Sequence, residues 1–239
     1  MHVMNSQFTT PTSGDIERMT APILAVPLGS WEQHGPHLPL DTDTRIAEAL
    51  VARLAAANPD IVRGPTIAVS SSGEHAGFAG TLSIGGRVVV DMMVELVRSA
   101  EWAAGVLIVN GHGGNTEYLE QARDRLMGEH HSVLVWSPPL VDPNDSHAGY
   151  VETSVMLALE PLSVRVEEIR CAPAPHLADI LPDLRATGVK GVSPSGVLGD
   201  PRRADADLGR LLLSTWENDL VEAVSRWRSE RSTSRRPES

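Results

Sequence analysis

The stretch ILAVPLGSWEQHGPHLPLDTDTRIAEALVARLAAA (residues 23–57) carries the reading of the fold. Its first six residues form an unbroken apolar run closed by Gly29, the pattern of a strand covered on both faces. From 44 to 57 the spacing puts Ile46, Leu50 and Leu54 on one side of a helix. Between the two sit Glu32, His34, His37, Asp41 and Asp43, two imidazoles and three carboxylates within twelve positions. A solvated loop can hold such a set, but a metal site needs it.

Outward from this unit the chain repeats the pattern. The spacing predicts a second strand at 65–69, a helix at 87–104, a third strand at 106–109 and a helix at 117–127. A fourth strand follows at 132–136, then helices at 151–159 and 204–228. The last carries Leu208, Leu211, Leu212, Trp216 and Leu220 on its apolar side. This alternation predicts an α/β fold in three layers, a mostly parallel sheet flanked by helices on both faces. Residues 1–20 and 229–239 lack periodicity. They are expected to be a flexible leading segment and a disordered tail around a single domain at 21–228.

The 239 residues carry a formal net charge of −11. That balance argues against nonspecific binding to nucleic acid or to an anionic membrane, each of which requires a basic surface. No apolar run reaches bilayer length and the first twenty residues lack a signal-peptide core, so a cytoplasmic enzyme is expected. The single cysteine, Cys171, excludes an intrachain disulfide and a thiolate-rich zinc site. A metal in this chain must be held by imidazole and carboxylate.

In parallel sheets, ligands bind beyond the carboxyl ends of the strands, where the following loops gather. Three polar clusters fall there: EQHGPHLPLDTD after the first strand, NGHGGN (110–115) after the third, and HAGYVETS (147–154) on the connection after the fourth. Glu32 and His34 are two apart, which on extended backbone aims both to one side, roughly 6–7 Å apart at the backbone. One of Asp41, Thr42 and Asp43 has the plainer option of capping the next helix. His112 lies among glycines that let the backbone approach a ligand; a phosphate loop is the rival, without the lysine or full glycine pattern it needs. Glu152 can bind a cation or simply favour a helix start. If Glu32, His34, Asp43, His112 and Glu152 converge, three carboxylates repel one another in a cleft, and two divalent cations relieve that repulsion and activate water.

The stretches LGSWEQHGPHLPLDTDTR (28–45), GEHAGFAGTLSIG (73–85), VNGHGGN (109–115), HAGYVETS (147–154) and GVLGDP (196–201) resemble the creatininase family of metal-dependent amidohydrolases, and within it the members that process a peptide. The resemblance implies two divalent metal ions, zinc, iron or manganese. Glu32 and His112 would bind one ion and His34 the other, with Asp43 between them. A further glutamate of creatininase falls on Gly114 here, and Glu152 is the candidate to replace it. His147 would be catalytic, steadying an oxyanion or passing a proton to the leaving amine. Glu152 is a second catalytic candidate. Glu74 and His75 are candidates for the substrate cleft or for structural hydrogen bonds, and His37 and Asp41 for orienting the ligands. His2, His130, His131 and His176 are read as solvated or loop histidines.

The activity so implied is hydrolysis of the C-terminal Gly–Val bond of a modified precursor peptide, releasing a crosslinked Val–Tyr unit. A closed homo-oligomer, a hexamer or similar, is expected. The alternatives are a formamide deformylase or a creatinine-type cyclic amide hydrolase on the same metal site, or a non-catalytic scaffold. The residues near His147 that would enclose creatinine, Pro143 and Ser146, are not aromatic, which speaks against creatinine.

Overall fold

A computed structural model of the chain describes residues 10–172 and 174–234. Four strands, β1 (Ile23–Leu28), β2 (Ile61–Arg63), β3 (Gly105–Asn110) and β4 (Val133–Trp136), form one sheet in the order β2-β1-β3-β4, with every pair parallel. The helices are α1 (Ser13–Glu17), α2 (Thr42–Ala57), α3 (Gly86–Ser99), α4 (Thr116–Gly128), α5 (Tyr150–Leu159), α6 (Leu177–Val192) and α7 (Ala206–Ser234).

Both faces of the sheet are covered, and the alternation of side chains along β1 sorts the core into two halves. Ile23 and Ala25 pack with Ile46, Leu50 and Leu54 of α2 and with apolar residues of α5 and α7. Leu24, Val26 and Leu28 pack with Val89, Met93 and Val97 of α3 and Leu119 and Leu126 of α4. The fold is the three-layer α/β arrangement that the strand–helix alternation predicts. Each fully buried Leu or Ile here contributes about 1.5–3 kcal/mol by leaving water.

Three local outcomes differ from the sequence reading. The second strand is Ile61–Arg63 rather than 65–69. The Gly64 amide still donates to the Ala25 carbonyl at 2.7 Å, but Pro65 has no N–H to continue the ladder, and pairing resumes only as a single bridge between Ile67 and Leu28. In the segment expected to be irregular, α1 forms because Thr12 and Asp15 make a reciprocal capping box. At the other end α7 continues to Ser234. What was expected of 1–9 and 235–239 lies outside the described residues. The third outcome is α6, which the spacing does not suggest because it contains Pro182 and a break at Gly188, where φ is +69°.

The fold bears on function through one edge. β1 and β3 are neighbours in register from Ile23↔Gly105 to Leu28↔Asn110, yet their following helices, α2 and α4, cover opposite faces. A crevice opens where adjacent connections part in this way.

Candidate metal centre

Glycines at the two strand ends shape this crevice. A Cβ on Gly29 would stand 2.3 Å from Thr44 Cα, and one on Gly111 would stand 2.4 Å from the Asp43 carbonyl oxygen. Their absence lets the first turn of α2 lie across the ends of β1 and β3. Asp43, the second residue of α2, is turned inward, and Asp41 holds the N-cap position without a side-chain cap bond. Ser30 Oγ donates to Asp43 Oδ2 at 2.8 Å, and Thr44 Oγ1 donates to the Ser30 carbonyl at 2.9 Å.

After β1 the chain folds back as a narrow ribbon. The Glu32 amide donates to the Leu40 carbonyl at 2.9 Å, His34 bridges to Leu38, and Gly35 makes the turn at φ +65°. Side chains alternate along it: Glu32 and His34 go to the crevice, while Gln33 reaches His75 Nδ1 at 2.9 Å and the Gly196 carbonyl at 3.0 Å. After β3 the NGHGGN loop is pinned by its own asparagines. Asn110 Nδ2 donates to the His112 carbonyl at 2.8 Å, and Asn115 Nδ2 donates to Asn110 Oδ1 at 3.1 Å.

The five residues singled out as ligands from the sequence meet. His34 Nε2 is 3.0 Å from Asp43 Oδ1 and 3.9 Å from Glu152 Oε2. His112 Nδ1 is 3.1 Å from Asp43 Oδ2, and His112 Nε2 is 3.2 Å from Glu32 Oε2. Two donor sets result, Glu32–Asp43–His112 and His34–Asp43–Glu152, each with its donor atoms within 4.8 Å of one another and with Asp43 common to both. His147 Nδ1 lies 3.9 Å from Glu32 Oε1.

Glu32 is fully buried, and neither of its carboxylate oxygens has an aligned hydrogen-bond donor among the described residues. Leaving a carboxylate buried and unpaired costs several kcal/mol. Around it the charges are strongly coupled. Burial works against protonation of His34, but the Asp43 carboxylate beside it wins and pushes its pKa up to about 10. Burial opposes ionisation of Asp43, yet His34 and His112 hold its pKa well below the usual carboxylate range. Glu152 is raised to about 7, chiefly by burial. Burial also lowers His147 well below the ordinary imidazole value, with His34 and His75 adding to it, so His147 is neutral.

The remaining candidates divide. His75 Nε2 is 3.3 Å from Glu32 Oε1, and Glu74 Oε1 is 3.2 Å from His112 Nε2, so both join the cluster. His37 is buried with Nε2 2.9 Å from Thr153 Oγ1 of α5, and Asp41 pairs with Arg45 at 2.8 Å. Among the described residues, neither of these two makes a side-chain hydrogen bond or ion pair to a residue of the two donor sets. Sequence reasoning missed Gln33, Asn115 and Asp145. Asp145 Oδ1 and Oδ2 accept from the Tyr150 and Val151 amides at 2.9 and 2.8 Å and so hold the start of α5. The signal for Gln33 was present, since a side chain between two inward residues of an extended segment must serve the opposite wall. The GVLGDP segment also gains a place: Gly196 receives Gln33, and Leu198 bridges to His147.

A family model described as creatinine amidohydrolase (Creatininase) matches residues 7–224. The chain belongs to the creatininase family. Within that family it is 42% identical over 228 residues to the mycofactocin precursor peptide peptidase of Mycolicibacterium smegmatis, covering 93% of this chain and 92% of the relative. It is 46% identical over 218 residues to the protein of the same description from Mycobacterium tuberculosis, covering 87% and 86%. A crystal structure of creatinine amidohydrolase (creatininase) superposes with a TM-score of 0.71 at 22% identity, covering 86% of this chain and 90% of that one, a likeness of fold. Among the described residues of this creatininase-family chain, no helix is long and apolar enough to cross a membrane.

Proposed function

We propose that this creatininase-family hydrolase is a dinuclear metal-dependent peptidase of mycofactocin biosynthesis. In this reading it cleaves the C-terminal Gly–Val bond of the modified precursor peptide and releases a crosslinked Val–Tyr unit. The observation that carries the metal-dependent reading is Glu32, a fully buried carboxylate whose oxygens face imidazoles and no aligned donor. The peptide substrate is supported by relatives 42–46% identical over most of the chain.

The donor chemistry fits divalent cations: oxygen and imidazole nitrogen with no thiolate, a set that accepts zinc, iron or manganese. Glu32, Asp43 and His112 would hold one ion, and His34, Asp43 and Glu152 the other. When bound, the ions polarise the scissile carbonyl and make a water molecule acidic enough to supply the nucleophile near neutral pH.

The chain's own part is to move protons and hold them in place. His147 Nε2 lies 2.8 Å from the Gln33 carbonyl, which requires the proton on Nε2. Nδ1 therefore faces the centre with a free lone pair, suited to take a proton from water and deliver it to the leaving amine. That geometry favours proton transfer over oxyanion stabilisation, which needs a donor at Nδ1. Glu152 Oε2 faces His34 Nε2 at 3.9 Å and is placed to hold the second cation as a carboxylate.

The test is to incubate the metal-loaded protein with the modified peptide and weigh the products. Loss of the Val–Tyr mass, abolished by exhaustive chelation, is the expected result. Turnover in metal-free protein overturns the mechanism, and hydrolysis of creatinine or a formamide with the peptide left intact overturns the substrate.

A further inference from the structure

Glu74 stands in the 3-10 turn Gly73–His75, on the long connection after β2, and three features converge on it. First, its Oε1 lies 3.2 Å from His112 Nε2, on the same nitrogen that faces Glu32 Oε2 at 3.2 Å. The donor atoms of Glu32, Glu74 and His75 lie within 4.8 Å of one another. Second, the fully buried Glu32 carboxylate beside it has no aligned hydrogen-bond donor, so two carboxylates converge on one imidazole nitrogen, His112 Nε2, which is shared with the Ser71 carbonyl at 2.8 Å and cannot satisfy both.

Third, the space for Glu74 is made by glycines far away in the sequence. A Cβ on Gly114 would lie 2.0 Å from Glu74 Oε1, so any side chain there excludes this carboxylate. On the other side α6 packs against the 73–75 turn, and its break at Gly188 meets the Glu74 backbone: a Cβ there would lie 2.8 Å from the Glu74 carbonyl oxygen. Gly188 has φ +69°, a conformation that residues with a side chain adopt at a cost. Lys190 adds an anchor by donating to the Gly77 carbonyl at 2.6 Å.

We infer that Glu74 is a ligand of the metal centre, completing the shell of the cation held by Glu32 and His112 from its solvent side. This inference rests on the reading of the site as a metal centre. It also closes the charge balance: Glu32, Asp43, Glu152 and Glu74 supply four negative charges, which two divalent cations neutralise, whereas three carboxylates do not. Unlike buried Glu32, the Glu74 side chain is one-third exposed, which places it where a ligand can yield to an arriving substrate.

The experiment compares zinc binding by the full-length protein and by Glu74→Gln, using elemental analysis after dialysis and competition with a chromophoric chelator. Wild type is expected to bind two zinc ions. Glu74→Gln is expected to lose one, or to bind one at least about tenfold more weakly, with its metal-free circular dichroism unchanged. Gly188→Ala, which displaces the Glu74 backbone without touching the centre, is expected to weaken the same site by a smaller factor. Wild-type stoichiometry and affinity in Glu74→Gln overturn the assignment even if its activity falls. Wild-type protein that binds no zinc, manganese or iron overturns the metal-centre reading itself, a separate result.

Discussion

Asp43 and His112 meet at 3.1 Å, carboxylate oxygen to Nδ1, although one belongs to the first turn of α2 and the other to the loop after β3. The other oxygen of Asp43 is 3.0 Å from His34, so a single carboxylate joins both halves of the centre. Asp43→Asn is therefore expected to lose both cations and to lower turnover more than about 100-fold, beyond the range typical of residues that only orient ligands. Elemental analysis beside a peptide-cleavage assay decides this, and retention of two ions would remove Asp43 from its shared position.

Gln33 should act through the histidines it holds. Its Oε1 accepts from the Gly35 amide at 2.9 Å, which leaves its two N–H protons for the Gly196 carbonyl and His75 Nδ1. His75 then keeps its proton on Nε2, facing Glu32. Gln33→Ala is expected to reduce kcat by about 10–100-fold while metal content stays at the wild-type level. Nitrogen-15 spectra of labelled histidine should show the wild-type tautomer of His75 lost in the variant; an unchanged spectrum would contradict this role.

His37 gives the fold a defined acid limb. Burial, then the charge of His34, lowers its pKa from 6.5 to about 4. Its neutral form stabilises the native state fully above about pH 6.5, and that contribution is lost as the pH falls towards 4, because the unfolded chain takes up the proton first. The loss is on the order of 3 kcal/mol across that window. Urea unfolding at steps between pH 7 and 4 should show a flatter stability profile for His37→Asn than for wild type, and parallel profiles would refute the assignment.

Gly29→Ala should destabilise by more than about 3 kcal/mol, since the new Cβ meets Thr44 backbone at 2.3 Å and neither strand end nor helix start can yield. Gly128→Ala, at the end of α4 with nothing within 4 Å, is the control and should change stability by less than about 1 kcal/mol. Denaturant midpoints report both values.

Much of the fold was legible because its strands are covered on both faces. A strand of that kind reads as an unbroken apolar run, and Ile23–Leu28, residues 106–109 of β3 and Val133–Trp136 do so. The edge strand Ile61–Arg63 was not legible: it is three residues long and sits among turn-forming residues, while 65–69 offers a better local pattern that Pro65 disqualifies. α6 was hidden for a related reason, since Pro182 and Gly188 both argue locally against a helix that packing against the 73–75 turn supports.

The sequence by itself determined which groups reach the sheet edge. Spacing of two on an extended segment sends Glu32 and His34 one way and Gln33 the other, and a polar cluster after each central strand falls at the same rim. What only the tertiary structure decided is which of those groups touch. Glu74 reaches His112 because Gly114 and Gly188 leave room, and Asp43 joins two imidazoles because Gly29 and Gly111 let a helix cross two strand ends. Contacts between distant segments depend on volumes left empty by residues that have no side chain, and no local pattern records an empty volume.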